Sequence, residues 1–321
     1  PAASNNSRFL RLLSAVSGLR LGSFFSKLEM DGIGVILSPS PSLFPIWMDL
    51  PFVTTVHDFQ ERYFPAFFSF RERIRRRTMN RLIGRASRFL LCESSFVRGD
   101  LMRFAGVPDV KIRVVPAPPP KDLKPVDQEA QERVRKKFGL GQSFLYYPAQ
   151  FWPHKNHERA METLKLLEAE FPNLELVLSG AKKAHFEKAM VKARDLGIAE
   201  KVRYVGYVTY DELAALYQMS RALFMPSLFE SISIPVYEAF SLGTAVCAAR
   251  VTGIPDQVGD AAVLFDPLSV DDMVRALALI LRDPKFASEL AKKGRERLSS
   301  LTYESYGTRL LEVLAEAEAA K

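Results

Sequence analysis

Phe229-Glu230-Ser231-Ile232-Ser233-Ile234-Pro235-Val236-Tyr237-Glu238-Ala239-Phe240 is the stretch from which the fold of this chain is read. It follows a strand-like segment, Ala222–Met225, and runs into a helix-like one. Pro235 is expected to be the first helical residue, where a missing N–H costs nothing. A helix start offers free N–H donors and a partial positive charge, which suits a phosphate. Glu230 and Glu238 place a carboxylate at each end of the turn, in a Glu-x7-Glu spacing. Ionised carboxylates only accept hydrogen bonds, so the pair suits sugar hydroxyls on either side of that phosphate. A site of this kind can be built without a metal.

Outward from this stretch, short apolar runs alternate with longer amphipathic ones. Strands are expected at residues 34–37, 52–56, 89–92, 112–115, 144–147, 175–178, 202–205, 222–225, 245–248 and 263–265. Helices are expected at 69–84, 95–104, 127–137, 157–170, 183–196, 210–218, 235–242, 270–281, 284–298 and 303–319. Several strands are continuous apolar runs, so both of their faces are covered, as in a parallel sheet between helices. The fold class is α/β. Pro116-Ala117-Pro118-Pro119-Pro120 is stiff and extended, and suits a connector. It divides the chain into a first domain at 1–120 and a second at 121–302, followed by a helix at 303–321. Ligands of doubly wound sheets bind at the carboxyl ends of the strands.

The 321 residues are 48% hydrophobic and 25% charged, which fits a globular protein and argues against disorder. No apolar run reaches the length of a membrane span. Cys92 and Cys247 lie in apolar runs and read as buried free thiols of a reducing compartment. Residues 1–7 read as a polar lead-in without a secretory signal, so a cytoplasmic protein is expected. The net charge of +7 fits a phosphate-bearing ligand, nucleic acid or an anionic membrane equally well. Much of it crowds into Arg71–Arg88, just after Phe64, Phe67, Phe68 and Phe70. That cluster suits the inner face of a membrane or a lipid diphosphate; a solvated helix face is the alternative. Nucleic acid is not expected, since no binding module frames it.

Pro226-Ser227-Leu228-Phe229-Glu230, Pro235-Val236-Tyr237-Glu238-Ala239 and Gly243-Thr244-Ala245-Val246, followed by Gly253-Ile254-Pro255, resemble the nucleotide-sugar half of the retaining family 4 glycosyltransferases. The resemblance implies the GT-B fold, two Rossmann-like domains facing a cleft. It implies that Glu238 holds the donor's ribose and that Glu230 faces the donor sugar near its reacting carbon. It implies backbone contacts to the donor from Ser231, Ile232, Ser233 and Ile234, where the family usually has glycines. Tyr147-Pro148-Ala149-Gln150-Phe151-Trp152-Pro153-His154-Lys155-Asn156 is similar to a polysaccharide mannosyltransferase subgroup. Lys155 is thereby implied to meet the diphosphate as a point charge, with Gln150 and Asn156 among the donor contacts. Gln150 stands where the family often has an arginine.

Further turns match in order. His57-Asp58 is implied to line the cleft near the transferred sugar; a strand-end histidine capped by Asp58 is the alternative. Glu93-Ser94-Ser95 is read as a helix cap. Gly180, and Tyr207-Val208 after Gly206, are implied to hold the base and phosphates. His154 and His157 read as surface residues, without the acidic or thiol companions of a metal site. The C-terminal helix is implied to cross back to the first domain.

The implied activity is retaining hexosyl transfer, without metal or cofactor, from a nucleoside diphosphate sugar to a glycan or lipid-linked hydroxyl in polysaccharide synthesis. The departing phosphate is implied to take the acceptor's proton. GDP-mannose is favoured over UDP-sugars. A nucleotide-sugar epimerase, or a non-catalytic sugar-nucleotide-binding protein, are the alternatives. The family's opening strand, glycine-rich loop and helix are not recognised before residue 34, so a shortened first domain is expected.

Overall fold

The computed structural model describes residues 32–48 and 50–319. The expected gap in the first domain lies outside these residues. The chain divides into two compact units, one running to Pro116 and resuming at Glu304, the other spanning Ala117–Tyr303.

In the first unit, β1 (Ile36–Ser38), β2 (Phe52–Thr55), β3 (Phe89–Cys92) and β4 (Ile112–Val114) pair in that order, all parallel. Parallel neighbours need long crossovers. Between β2 and β3 these are α1 (Gln60–Tyr63) and α2 (Phe70–Ala86); α3 (Ser95–Asp100) follows β3. Ser69 and Ser94 accept hydrogen bonds from the N–H groups of Glu72 and Val97, so Ser94 is the helix cap that the sequence suggests. Alternation along β3 splits its side chains between two faces. Leu90 packs with Val56, Phe59, Ile83 and Val97, while Phe89 and Leu91 pack with Val313 and Ala317 of the C-terminal helix, Tyr303–Ala319. Arg113 of β4 pairs with Glu316 of that helix at 2.6 Å.

The second unit holds β5 (Ser143–Pro148), β6 (Leu174–Ser179), β7 (Val202–Gly206), β8 (Ala222–Met225), β9 (Val246–Ala249) and β10 (Ala262–Phe265). They form one parallel sheet in the order β10-β9-β8-β5-β6-β7. Its helices are α4 (Gln128–Phe138), α5 (His157–Leu167), α6 (Phe186–Asp195), α7 (Tyr210–Met219), α8 (Ile234–Leu242), α9 (Ile254–Val258), α10 (Val270–Arg282) and α11 (Pro284–Leu298). Tyr146, Tyr147, Phe224 and Phe240 lie at the centre of one continuous core. Cys92 and Cys247 are free and buried. Because β8 leaves from the opposite side of β5 to β6, the strand order reverses between β5 and β8. A crevice opens at the carboxyl ends there.

Helix α8 begins at Ile234, which makes Pro235 its second residue, still within the turn where no N–H is missed. The short α9 had no signal of its own. Among the described residues, no helix is long and apolar enough to cross a membrane.

Gly294 lets α11 lie directly on α8, since a Cβ there would stand 2.2 Å from the Phe240 ring. Gly294→Ala is therefore expected to lower stability by roughly 1–3 kcal/mol, as overpacking does. Urea unfolding, with an unchanged m-value, would measure it.

Candidate functional site

The carboxyl ends of β5, β6 and β7 and the first turn of α8 surround a pocket of about 250 Å³. Pro148, Ala149 and Gln150 come from the end of β5 and the loop after it, Ser179 and Gly180 from the end of β6 and its loop, and Gly206, Tyr207 and Val208 from the end of β7 and its loop. Leu213 of α7 and Pro235 and Glu238 of α8 complete it. Gly180 has φ +118, and a Cβ there would lie 2.9 Å from the Ala149 carbonyl. Only glycine lets these two strand ends approach so closely. Gln150, Gly180, Tyr207, Val208 and Glu238, singled out from the sequence at separate positions, thus share one concavity.

Glu238 is buried, and the Tyr217 hydroxyl donates to its Oε2 at 2.7 Å. No described residue bonds to Oε1. Burial raises the carboxyl's pKa, and the tyrosine bond partly opposes this. Burial also keeps the Tyr217 phenol protonated, so it remains a donor. Nothing local marks Tyr217, whose partner comes 21 residues later.

Lys155 and Glu230 face each other across the β5–β8 junction. Lys155 ends a tight turn, Pro153–Lys155, and its Nζ lies 2.5 Å from Glu230 Oε1. Both loops are stapled together. Tyr147 donates to the Lys155 carbonyl at 2.6 Å with Ser227 Oγ at 3.2 Å, and the Leu228 N–H donates to the His154 carbonyl at 2.7 Å. Neither Lys155 nor Glu230 lines the pocket itself.

The turn from Glu230 to α8 is held from the facing loop. The Glu230 carbonyl accepts from the Gly253 N–H at 3.0 Å and from the Thr252 hydroxyl at 2.5 Å. The Gln257 side chain clamps Ser233, accepting from its N–H at 2.8 Å and donating to its carbonyl at 2.7 Å. The Ser233 N–H is therefore committed within the protein. Ser231, Ile232, Ser233 and Ile234 all lie outside the pocket lining.

Asn156 has a different place from the one expected of a donor contact. Its backbone is left-handed, φ 58. Its carboxamide donates to the carbonyls of Pro226 at 2.9 Å and Pro267 at 3.0 Å and accepts from Arg159 at 3.0 Å, so it joins loops and both of its N–H groups are committed within the protein. His157 is not a surface residue: it is buried and stacked on Phe151 at 4.1 Å. Burial depresses the pKa of both His154 and His157 to about 3, so both are neutral. Among the described residues, no group of three or more His, Cys, Asp or Glu is placed to hold a metal ion.

In the first unit, His57 follows β2 and joins the ends of β1 and β3. Its Nε2 lies 3.1 Å from the Pro39 carbonyl and its Nδ1 3.5 Å from Glu93. Glu93 raises its pKa, which favours the doubly protonated ring. Both nitrogens then point at protein acceptors, not at a vacant hydrogen-bonding position. Asp58 does not cap His57; it accepts from the Gln60 N–H at 3.0 Å.

The family model described as Glycosyl transferases group 1 matches residues 128–297, and that described as Glycosyltransferase Family 4 matches residues 7–118. O-antigen chain mannosyltransferase B of Escherichia coli is 26% identical over 81% of this chain and 68% of its own length. The GDP-mannose-dependent alpha-(1-6)-phosphatidylinositol monomannoside mannosyltransferase of Mycolicibacterium smegmatis is 27% identical over 74% and 65%. The chain spans only about a quarter of the serotype-specific mannosyltransferases of E. coli that it also matches. The structure of Anabaena HepE in complex with UDP and glucose superposes with TM-score 0.78 at 16% identity, covering 92% of this chain and 83% of that one. Such likenesses show the fold, GT-B, with its two parallel-sheet α/β domains.

Gly253 is the tightest point of the site, since a Cβ would stand 1.9 Å from the Ser231 carbonyl oxygen. Gly253→Ala is expected to force the turn from its loop, break the Gly253–Glu230 bond and lower stability by at least roughly 1–3 kcal/mol. Thermal and urea unfolding of the variant would check this.

Proposed function

Because the chain belongs to the glycosyl transferases group 1 family, we propose that it moves a hexosyl group from a nucleoside diphosphate sugar to a hydroxyl of a glycan or lipid-linked acceptor. Glu238 carries the reading: a carboxylate at a helix start, in the pocket, with one oxygen oriented by Tyr217 and the other open. In this reading Oε1 accepts from the donor's ribose. The base lies among Gly180, Tyr207 and Val208. The mannosyl relatives, one of them named for its GDP-mannose dependence, support GDP-mannose ahead of UDP-sugars.

The reaction breaks the bond between the anomeric carbon and the diphosphate, so negative charge grows on the leaving group. Lys155 and the first turn of α8 stabilise that charge, the contribution that is usually largest in catalysis. Their combined charge supports a reaction without metal. Lys155 exchanges Glu230 for phosphate oxygen, which frees Glu230 to meet the sugar near its reacting carbon. Retention follows if the acceptor attacks from the leaving group's face, with the departing phosphate taking its proton. His57 serves this reaction by fixing the ends of β1 and β3.

The test is transfer from GDP-mannose, with UDP-glucose in parallel, to lipid-linked and glycan acceptors, together with calorimetric titration of GDP. Glu238→Ala is expected to weaken GDP binding roughly a hundredfold, the worth of two hydrogen bonds to a charged group. Glu238 must be ionised to accept both ribose hydroxyls, and its pKa is raised. Affinity therefore falls on acidification at a higher pH than an ordinary carboxylate would give. Unchanged GDP affinity in Glu238→Ala would overturn the assignment.

A membrane contact is supported by a separate observation. The outward face of α2 carries exposed Arg71, Arg75, Arg77, Arg81 and Arg85. Between them Phe70 is 67% exposed, Ile74 47% and Leu82 42%. The one acid of the helix, Glu72, is half-buried and pairs with Arg75 and Arg76, which leaves Arg71, Arg77, Arg81 and Arg85 as the unmatched cations of that face. Cations interleaved with exposed apolar side chains suit an anionic bilayer surface. The protein is expected to sediment with phosphatidylglycerol vesicles and not with phosphatidylcholine vesicles. Changing Arg77, Arg81 and Arg85 to Glu should abolish sedimentation while preserving the unfolding temperature within a few degrees.

A further inference from the structure

Phe151 is fully buried, stacked on His157, with its N–H donated to the Ala181 carbonyl and its own carbonyl accepting from the His185 N–H, both at 3.2 Å. Its neighbours Gln150 and Trp152 are both exposed, and Trp152 keeps 42% of its surface in water. The Trp152 indole N–H donates to Gln150 Oε1 at 3.1 Å. An indole N–H only donates, so the Gln150 amide must turn its oxygen toward Trp152. Its NH2 group is then directed away from the indole, on a residue that lines the pocket. No described residue accepts from that NH2.

A free amide would turn either way, and its oxygen facing a phosphate would repel it. Two fixed N–H donors attract it instead. The Lys183 ammonium also lies 5.2 Å from the centre of the Trp152 ring, a cation–π contact that holds a positive charge beside the same indole.

We propose that Trp152 is a positioning residue for donor binding: it holds Gln150 as a hydrogen-bond donor to the diphosphate. This rests on the nucleotide-sugar reading of the pocket. The indole acts through Gln150 and touches no reacting atom.

Trp152→Phe tests it, since phenylalanine keeps a ring for Lys183 and removes only the N–H. GDP and guanosine binding would be measured by NMR titration on the full chain, in the native and Gln150→Arg backgrounds. Trp152→Phe is expected to weaken GDP about three- to tenfold, a fraction of a charged hydrogen bond, and to leave guanosine unchanged. In the Gln150→Arg background it should cost nothing, because guanidinium has no acceptor edge to turn the wrong way. An equal loss for GDP and guanosine, or a loss that persists with Gln150→Arg, would assign Trp152 to pocket shape and overturn the proposal. Native binding of GDP with no effect of Trp152→Phe would overturn it alone. Failure of the native chain to bind either GDP or UDP would overturn the nucleotide-sugar reading, and this proposal with it.

Discussion

Lys155 and Glu230 lie 2.5 Å apart, on loops that follow β5 and β8. These strands are neighbours only because the sheet reverses its order there. The side chains are 18% and 11% exposed, so each charge is largely removed from water and depends on the other. Removing one partner of such a pair leaves a poorly solvated charge, the costly case. The staples around it follow from the same demand. Tyr147, Leu228 and Asn156 each join the β5 loop to the segment beyond β8. Without them two facing loops would have no reason to hold an ammonium and a carboxylate in register.

The two glutamates have different chemical surroundings. Glu230 is matched by a cation, and its charge is balanced by Lys155. Glu238 is held by a neutral phenol, and burial raises its pKa. A balanced carboxylate can be released when an anion draws its lysine away. An unbalanced one invites neutral hydroxyl donors, because they stabilise its charge without cancelling it. The Lys155 end is therefore close to neutral. In the proposed reading, a diphosphate drawn there would gain from neutral N–H donors as well as from formal charge, which is where an oriented glutamine would have its value.

Much of the fold was legible because parallel strands covered on both faces must be apolar throughout. The runs at 89–92 and 222–225 stand out for that reason and match their strands residue for residue. Gln150, Gly180, Tyr207, Val208 and Glu238 were named from the resemblance, and the structure gathers them where such sheets bind ligands. What stayed hidden depends on distant partners. The carboxamide of Asn156 meets Pro226 and Pro267, 70 and 111 residues away, which nothing local in the sequence signals. Gln257 gave no signal, since its partner Ser233 lies on another loop. His157 looked exposed beside Lys155 and is buried because Phe151 and Tyr147 cover it.

The missing glycines of the Ser231–Ile234 turn have a physical account in the facing loop. A glycine is required where φ is positive or where backbones approach too closely for a Cβ. The turn needs neither: Ser233 has φ −118, and the only non-glycine residues with positive φ among those described are Asn156 and Thr252. The close approach does occur, but Gly253 supplies it against the Ser231 carbonyl. Thr252, at φ 44, then aims its hydroxyl at the Glu230 backbone. Strain and smallness have moved together to residues 252 and 253, and serine and isoleucine can occupy the turn because its partner bears the constraint. The consequence reaches the site, because the Ser233 N–H that a glycine turn would offer to an anion is already spent on Gln257.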